Sequence, residues 1–126
     1  MNPVRVLLVD DELSSAEVLG LILSREGYEV TMAADGQQAL LRLRDTRPDL
    51  VITDFMMPVL NGAELVNALR KLPEHAHTPV LLMSGAPEAA LRAYQVDYQA
   101  FMRKPFELDA FLATVARLAA QARPAS

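Results

Sequence analysis

Five short apolar runs, most of them followed by a polar residue, limit the folds that this chain can adopt. They occupy residues 4–9, 30–33, 50–53, 80–83 and 100–102. A strand that is apolar on both faces, rather than on alternate residues, is buried on both sides, which is typical of a parallel sheet. The pattern therefore predicts five parallel strands.

Amphipathic segments of helical length lie between these runs and carry start signals. Ser14 with Glu17, three residues later, matches a capping box, and Asn61 with Glu64 is placed to cap another helix. Asp35 is placed to cap a helix between the second and third strands. Each of these three signals predicts where a helix begins.

Two further helices are predicted in the second half of the chain. Pro87 suits the first turn of a fourth helix that continues to about Tyr94. A fifth helix is indicated by apolar residues at helical spacing. These residues are Leu108, Phe111, Leu112, Val115 and Leu118.

Strands that alternate with helices predict an α/β domain. Right-handed crossovers place helices on both faces of the sheet, which gives a flavodoxin-like, doubly wound (βα)5 fold with strand order 2-1-3-4-5. We predict one domain over residues 1–121, with residues 122–126 as a C-terminal tail or the start of a linker. Met1 lies close before the first strand, which favours a true N-terminus.

The composition excludes several classes of function. The 126 residues are 52% hydrophobic and 22% charged, which is typical of a globular domain with a real core. The net charge of −4 argues against non-specific binding of nucleic acid. The chain has no cysteine, so disulfides and zinc–thiolate sites are excluded. No apolar run is long enough to span a membrane, and we expect a cytoplasmic protein.

The polar residues that follow the predicted strands are the candidates for chemistry. Asp10 and Asp11 follow the first strand, Asp54 the third, Ser84 the fourth and Lys104 the fifth. In open α/β sheets, ligands bind at the carboxyl ends of the strands, where the strand order reverses. With the first and third strands adjacent, the three carboxylates are predicted to share one pocket.

Three neighbouring carboxylates repel one another unless their pKa values rise or a cation joins them. Oxygen ligands without thiolates or a histidine cluster favour Mg²⁺, with Mn²⁺ as a possible substitute, over Zn²⁺. A metal and a lysine ammonium together neutralise the charge that hinders attack of a carboxylate on a phosphoryl donor. The expected product is an aspartyl-phosphate.

Four segments of the sequence together resemble the receiver domain of response regulators in two-component signalling. They are the strand-end acids in 6–12 (VLLVDDE), the run 53–58 (TDFMMP) with Asn-Gly at 61–62, the run 83–86 (MSGA), and 104–106 (KPF). The resemblance extends from residue 4 to about residue 121, which is nearly the whole chain.

The resemblance implies a role for each acid in the predicted pocket. Asp54 accepts a phosphoryl group from a sensor histidine kinase or phosphotransfer protein. Asp11 and Asp54 contact Mg²⁺ directly, and Asp10 acts largely through water. The backbone carbonyl of Met56 supplies a further metal ligand.

The resemblance also implies a phosphate-binding and switching group. The hydroxyl of Ser84 binds phosphoryl oxygens from one side, and Lys104 pairs with them from the other. Phe101 is the aromatic switch that turns inward when Ser84 moves, although plain core packing explains an aromatic there equally well. The Lys104–Pro105 peptide bond is expected to be cis, the isomer that an X–Pro bond tolerates.

Phosphorylation adds about −1.5 to −2 charge at the pocket. We expect this charge to act through Ser84 and Phe101 on a surface formed by the fourth helix, the fifth strand and the fifth helix. The chain would catalyse only its own phosphorylation and dephosphorylation, so it is not expected to be an enzyme otherwise. Its target is a downstream protein or an output domain absent from the chain, with no direct nucleic-acid or membrane partner. It is expected to be a monomer or a phosphorylation-dependent dimer.

Some residues depart from the usual receiver pattern. Asp97 and Tyr98 replace the Gly-Ala that commonly precedes the fifth strand. Met56 and Ala86 flank the expected path of the water that hydrolyses the aspartyl-phosphate, and neither side chain can act as a base. We therefore expect slow hydrolysis in the absence of a partner phosphatase.

Three other functions compete with this interpretation. A pseudo-receiver that binds partners without phosphate would not need the complete set of acids, hydroxyl and lysine. An aspartyl-phosphate phosphohydrolase generally has a second acid two residues after the nucleophile, where this chain has Met56. A flavodoxin-like cofactor binder needs a phosphate-cradling loop where this chain has an acidic cluster. His75 and His77 offer too few ligands for a metal site.

Overall fold

The computed structural model describes residues 2–122 and contains a five-stranded parallel sheet. Its strand order is β2-β1-β3-β4-β5, as the sequence predicts. The strand order reverses between β1 and β3, because β2 lies on one side of β1 and β3, β4 and β5 lie on the other. The strands are β1 Arg5–Val9, β2 Glu29–Ala33, β3 Leu50–Asp54, β4 Val80–Ser84 and β5 Ala100–Arg103.

Helical segments connect all of the strands and follow the last one. Two of these segments are short 3₁₀ helices rather than α-helices. No helix in the described part of the chain is long and apolar enough to cross a membrane. The α-helices are α1 Leu13–Arg25, α2 Gly36–Thr46, α3 Gly62–Arg70 and α4 Leu108–Ala122, and the 3₁₀ helices are Pro73–His75 and Glu88–Tyr94.

Apolar side chains cover both faces of the sheet in two separate clusters. On one face, Leu7 and Leu82 pack with residues of α2 and α3 such as Leu65. On the other face, residues such as Ile52 pack with α1 and α4, including the fully buried Phe111. Each large apolar side chain buried in this way contributes about 1.5–3 kcal/mol. The predicted doubly wound architecture is confirmed.

Two of the predicted helix starts are confirmed by side-chain caps. The carboxylate of Asp35 accepts the backbone N–H of Gln38 at 2.8 Å before α2. Asn61 and Glu64 form a reciprocal capping box before α3, each side chain accepting the backbone N–H of the other residue. The entry into α3, directly after the residues that follow Asp54, is therefore well fixed.

The capping box predicted for Ser14 and Glu17 is wrong. Helix α1 begins earlier, at Leu13, with Glu12 at the N-cap and no side-chain cap. The reason is local. The Asp10 carboxylate accepts the backbone N–H of Glu12 at 2.9 Å, and this bond fixes the turn directly before the helix.

The predicted fourth helix is present, but its geometry differs from the expected α-helix. It is the 3₁₀ helix Glu88–Tyr94, and Pro87 stands at its N-cap rather than in its first turn. Only Leu91 of this segment is buried, so no apolar stripe with a period of 3.6 residues selects the α form.

Helix α4 ends at Ala122, the first residue of the predicted tail or linker. The rest of the predicted tail, residues 123–126, lies outside the described residues.

Arg70, at the end of α3, holds together three parts of the chain. Its guanidinium donates to the carbonyls of His75, Thr78 and Asp97 and to the side chain of Gln99. It also pairs with the Asp97 carboxylate at 3.3 Å. The Asp97 that departs from the receiver pattern is thus held in place by an arginine. His75 is buried and bonds Thr78 through Nδ1 at 2.9 Å, which accounts for it without a metal.

Gly62 is the residue of α3 that most tightly constrains the packing beside Asp54. Its N–H donates to the carbonyl of Phe55 at 2.8 Å. A Cβ at this position would lie 2.5 Å from the carbonyl oxygen of Asp54, which is backbone and cannot turn away.

We predict that Gly62→Ala lowers the free energy of unfolding by about 1–3 kcal/mol, the usual cost of overpacking. Chemical denaturation followed by circular dichroism measures the change. Gly85→Ala is the control, since nothing lies within 4 Å of a Cβ placed at Gly85. Equal stability of the two variants would contradict the prediction.

Candidate functional site

The register of the sheet places Asp10 and Asp54 side by side. Val9 of β1 pairs with Thr53 of β3, and each acid is the next residue along its strand direction. Both acids are largely buried, with 2% and 8% of their surface exposed. The Thr53 hydroxyl donates to the carbonyl of Asp54 at 2.9 Å, which supports the backbone at the strand end.

Lys104 reaches both carboxylates from the end of β5. Its Nζ lies 3.3 Å from Oδ2 of Asp54 and 3.9 Å from Oδ2 of Asp10. The backbone N–H of Lys104 donates to the carbonyl of Ser84 at 2.7 Å, which fixes where the lysine leaves the sheet. The peptide bond between Lys104 and Pro105 is cis.

Burial dominates the electrostatics of the two inner acids. It raises the pKa of Asp10 above its usual value, while the Glu12 N–H and Lys104 act in the opposite direction. Burial also raises the pKa of Asp54, with Lys104 again opposing the shift and Asp10 adding to it. The lysine therefore compensates only part of the cost of holding two negative charges in this pocket.

The acids also form a group that fits a divalent cation. Carboxylate oxygens of Asp10, Asp11 and Asp54 lie within 4.8 Å of one another, and Asp11 is exposed at the rim. Within the described part of the chain, Oδ2 of Asp10 is buried and accepts no hydrogen bond. A buried carboxylate oxygen without a donor suits a metal ion or a metal-bound water. Hard oxygen ligands of this kind fit Mg²⁺.

Ser84 and Phe101 lie on strands next to the acids. Ser84 ends β4, the strand that neighbours β3, and its buried hydroxyl accepts the N–H of Ala86 at 3.0 Å. Phe101 is partly buried against the same cluster as α2 and α3, and its ring lies 6.4 Å from that of Tyr98. Ser84 thus lies on the strand next to that of Asp54, and Phe101 lies one strand further away, on β5.

Met56 lies in the loop after β3. It is 63% exposed, and its thioether is neither an acid nor a base. The role of its carbonyl as a metal ligand stays a prediction.

Tyr94 and Tyr98, at the two ends of the segment before β5, both have partners. The ring of Tyr94 meets that of Phe55 edge to face at 5.5 Å. The hydroxyl of Tyr98 donates to the carboxylate of Glu88. Sequence analysis did not identify Glu88, because a contact between residues ten apart in a loop leaves no periodic signal.

Comparison with known proteins identifies the family. Residues 6–116 match the family model of the response regulator receiver domain. The response regulator MprA of Mycolicibacterium vanbaalenii is 36% identical over 124 residues, which cover 97% of this chain and 53% of MprA. The chain thus spans about half the length of such curated relatives.

Solved structures show the same relationship. The chemotaxis protein CheY4 of Vibrio cholerae is 35% identical, with a TM-score of 0.85 over 92% of this chain and 98% of CheY4. TrrA of Thermotoga maritima, solved in complex with Mg²⁺–BeF, is 30% identical, with a TM-score of 0.82 over 91% of this chain and 98% of TrrA. With its strand order and its strand-end acids, this chain belongs to the response regulator receiver domain family.

Proposed function

We propose that the chain is a phosphorylation-activated switch in which Asp54 accepts the phosphoryl group. The observation that carries the proposal is the position of the Asp54 carboxylate, 3.3 Å from the Lys104 ammonium and beside Asp10 at the edge of the sheet. The donor is a sensor histidine kinase or a phosphotransfer protein, as the family implies.

The residues of the pocket divide the chemistry between them. A carboxylate oxygen of Asp54 attacks phosphorus, the P–N bond to the donor histidine breaks, and the imidazole leaves with the bonding electrons. The Lys104 ammonium neutralises charge on the transferring group. Mg²⁺, held by Asp10, Asp11 and Asp54, would supply further neutralisation. The Mg²⁺–BeF complex of TrrA supports this assignment.

A protein donor suits the surface that borders the pocket. A groove of about 680 Å³ opens between the start of α1 and the residues after β5, with Val18, Phe106 and Lys104 in its wall. Next to it, Leu13 and Leu21 of α1 are more than half exposed. Exposed apolar side chains beside a groove suit the docking of a protein partner.

The output of the switch is proposed to pass through Ser84 and Phe101 to the surface formed by the 3₁₀ helix Glu88–Tyr94, β5 and α4. A downstream protein or an output domain outside this chain would read that surface. We propose that the chain catalyses only its own phosphorylation and dephosphorylation. A cytoplasmic location and the monomer–dimer behaviour stay predictions.

The proposal is tested by incubating the protein with Mg²⁺ and acetyl phosphate and measuring its intact mass. We expect a single phosphoryl adduct that is absent from Asp54→Ala and present in Asp45→Ala, a control at an exposed aspartate of α2. Absence of any adduct in the wild-type protein would falsify the proposal and favour a pseudo-receiver. Multiple turnover of small phosphate esters would favour a phosphohydrolase.

We predict that Asp10→Asn stabilises the metal-free protein by about 1–3 kcal/mol, because it removes a buried charge whose Oδ2 has no hydrogen-bond donor. Thermal unfolding in EDTA measures the gain. Added Mg²⁺ should raise the melting temperature of the wild-type protein and of Asp45→Asn, but much less that of Asp10→Asn. An unchanged response to Mg²⁺ would contradict the role of Asp10.

We predict slow loss of the phosphoryl group from the isolated protein, because the side chains of Met56 and Ala86 cannot orient or deprotonate water. The fraction of phosphorylated protein, followed by intact mass after removal of the donor, should decay over minutes or longer. Decay within seconds in the presence of Mg²⁺ would disprove this. Met56→Gln, which adds a polar group at an exposed position, is expected to shorten the lifetime.

A further inference from the structure

A hydrogen bond outside the acidic pocket fastens the chain segment that follows Ser84. The Tyr98 hydroxyl, just before β5, donates to the carboxylate of Glu88, the first residue of the 3₁₀ helix. The Tyr98 ring meanwhile packs at 53° against the ring of Phe101. One side chain thus touches both the segment that leaves β4 and an aromatic residue of β5.

Only three residues separate Ser84 from Glu88, so a displacement of one is transmitted along the backbone to the other. Ser84 occupies the strand next to Asp54, and its hydroxyl accepts the N–H of Ala86. A hydroxyl can donate to a phosphoryl oxygen on Asp54 while it still accepts the Ala86 N–H, because it carries one donor and two acceptor sites. A movement of Ser84 towards the phosphoryl group would therefore carry Ala86 with it, and residues 85–88 would follow.

Apart from the contacts at its two ends, the 3₁₀ helix that begins at Glu88 is weakly anchored to the rest of the domain. It runs for seven residues, longer than 3₁₀ helices usually persist, and only Leu91 in it is buried. At its far end, Tyr94 packs against Phe55, and its carbonyl accepts from Asn67 at 3.5 Å. At its near end, the side-chain contact of Glu88 is the bond from Tyr98.

We propose that the hydrogen bond between Tyr98 and Glu88 is a latch that keeps the segment 84–88 in its resting position. Tyr98 and Glu88 are then positioning residues for the phosphorylation of Asp54, because they set how readily Ser84 can turn towards it. This inference rests on the proposed function of Asp54.

The chemistry of the pair suits such a role. The bond to Glu88 raises the pKa of Tyr98 to about 12, so the tyrosine stays a neutral donor to a charged acceptor. A bond to a charged group is stronger than a neutral one, but its exposure to solvent keeps its net contribution modest. We expect its loss to shift the equilibrium between resting and activated positions by about two- to tenfold.

The test is a titration of the full chain with beryllofluoride, a phosphoryl mimic, in the presence of Mg²⁺, followed by NMR. Tyr98→Phe keeps the ring against Phe101 and removes the hydroxyl. We expect it to bind the mimic about two- to tenfold more tightly than the wild-type protein. In the free variant, the Gly85 amide resonance should already move towards its bound position. Ala90→Ser, a substitution at an exposed position of the same 3₁₀ helix, is the control and should behave as wild type.

A double-mutant cycle separates the latch from general destabilisation. Glu88→Ala should reproduce the effect of Tyr98→Phe, and the two together should add little to either alone. Glu88→Gln, which keeps an acceptor, should lie close to the wild-type protein. A thermal melt of each variant reports loss of stability, which by itself would not tighten binding of the mimic.

Two results would overturn the inference. The first of them leaves the proposed function intact. If the wild-type protein responds to beryllofluoride but Tyr98→Phe binds it equally or more weakly, the latch is wrong and the phosphoacceptor stands. If the wild-type protein shows no Mg²⁺-dependent response, the proposed function and the latch fall together.

Discussion

Burial of both faces of the parallel sheet is the constraint from which the rest of the structure follows. Side chains in the middle of β1, β3 and β4 have no access to solvent, so a charged group there would be severely destabilising. Polar groups are tolerated only where a strand ends. Since all strands run in the same direction, their carboxyl ends bring Asp10, Asp54, Ser84 and Lys104 to one edge. The pocket is therefore a consequence of the topology.

The same pocket is incompletely balanced in charge. Lys104 is the cation that the chain itself offers to Asp10 and Asp54, and both acids keep raised pKa values. A fully compensated site would be more stable, but it would no longer favour the binding of a metal cation. The residues that make the proposed reaction possible are thus ones that weaken the resting fold, as is common at functional sites.

Much of this fold and site could be predicted from the sequence, because the informative signals are local. The continuous apolar runs, the caps at Asp35 and Asn61 and the polar residues at strand ends depend on neighbouring residues only. Most of the features that could not be predicted depend on contacts between different segments of the chain. Gly62 is needed because the backbone of Asp54 approaches it, and Asp97 is explained by Arg70. The start of α1 was misplaced because Asp10, a residue of the pocket, fixes the turn into the helix before Ser14 is reached.

The end of β5 has a consequence for how copies of this chain meet in solution. β5 is an edge strand of only four residues, and unpaired edges invite other strands to add to the sheet. Pro105 lies two residues beyond this strand and has no N–H, so the ladder of a partner strand could not continue past it. The short length of β5 and this proline both limit pairing of two copies through the edge, whereas the Lys104 ammonium faces the acids of the pocket and takes no part in it.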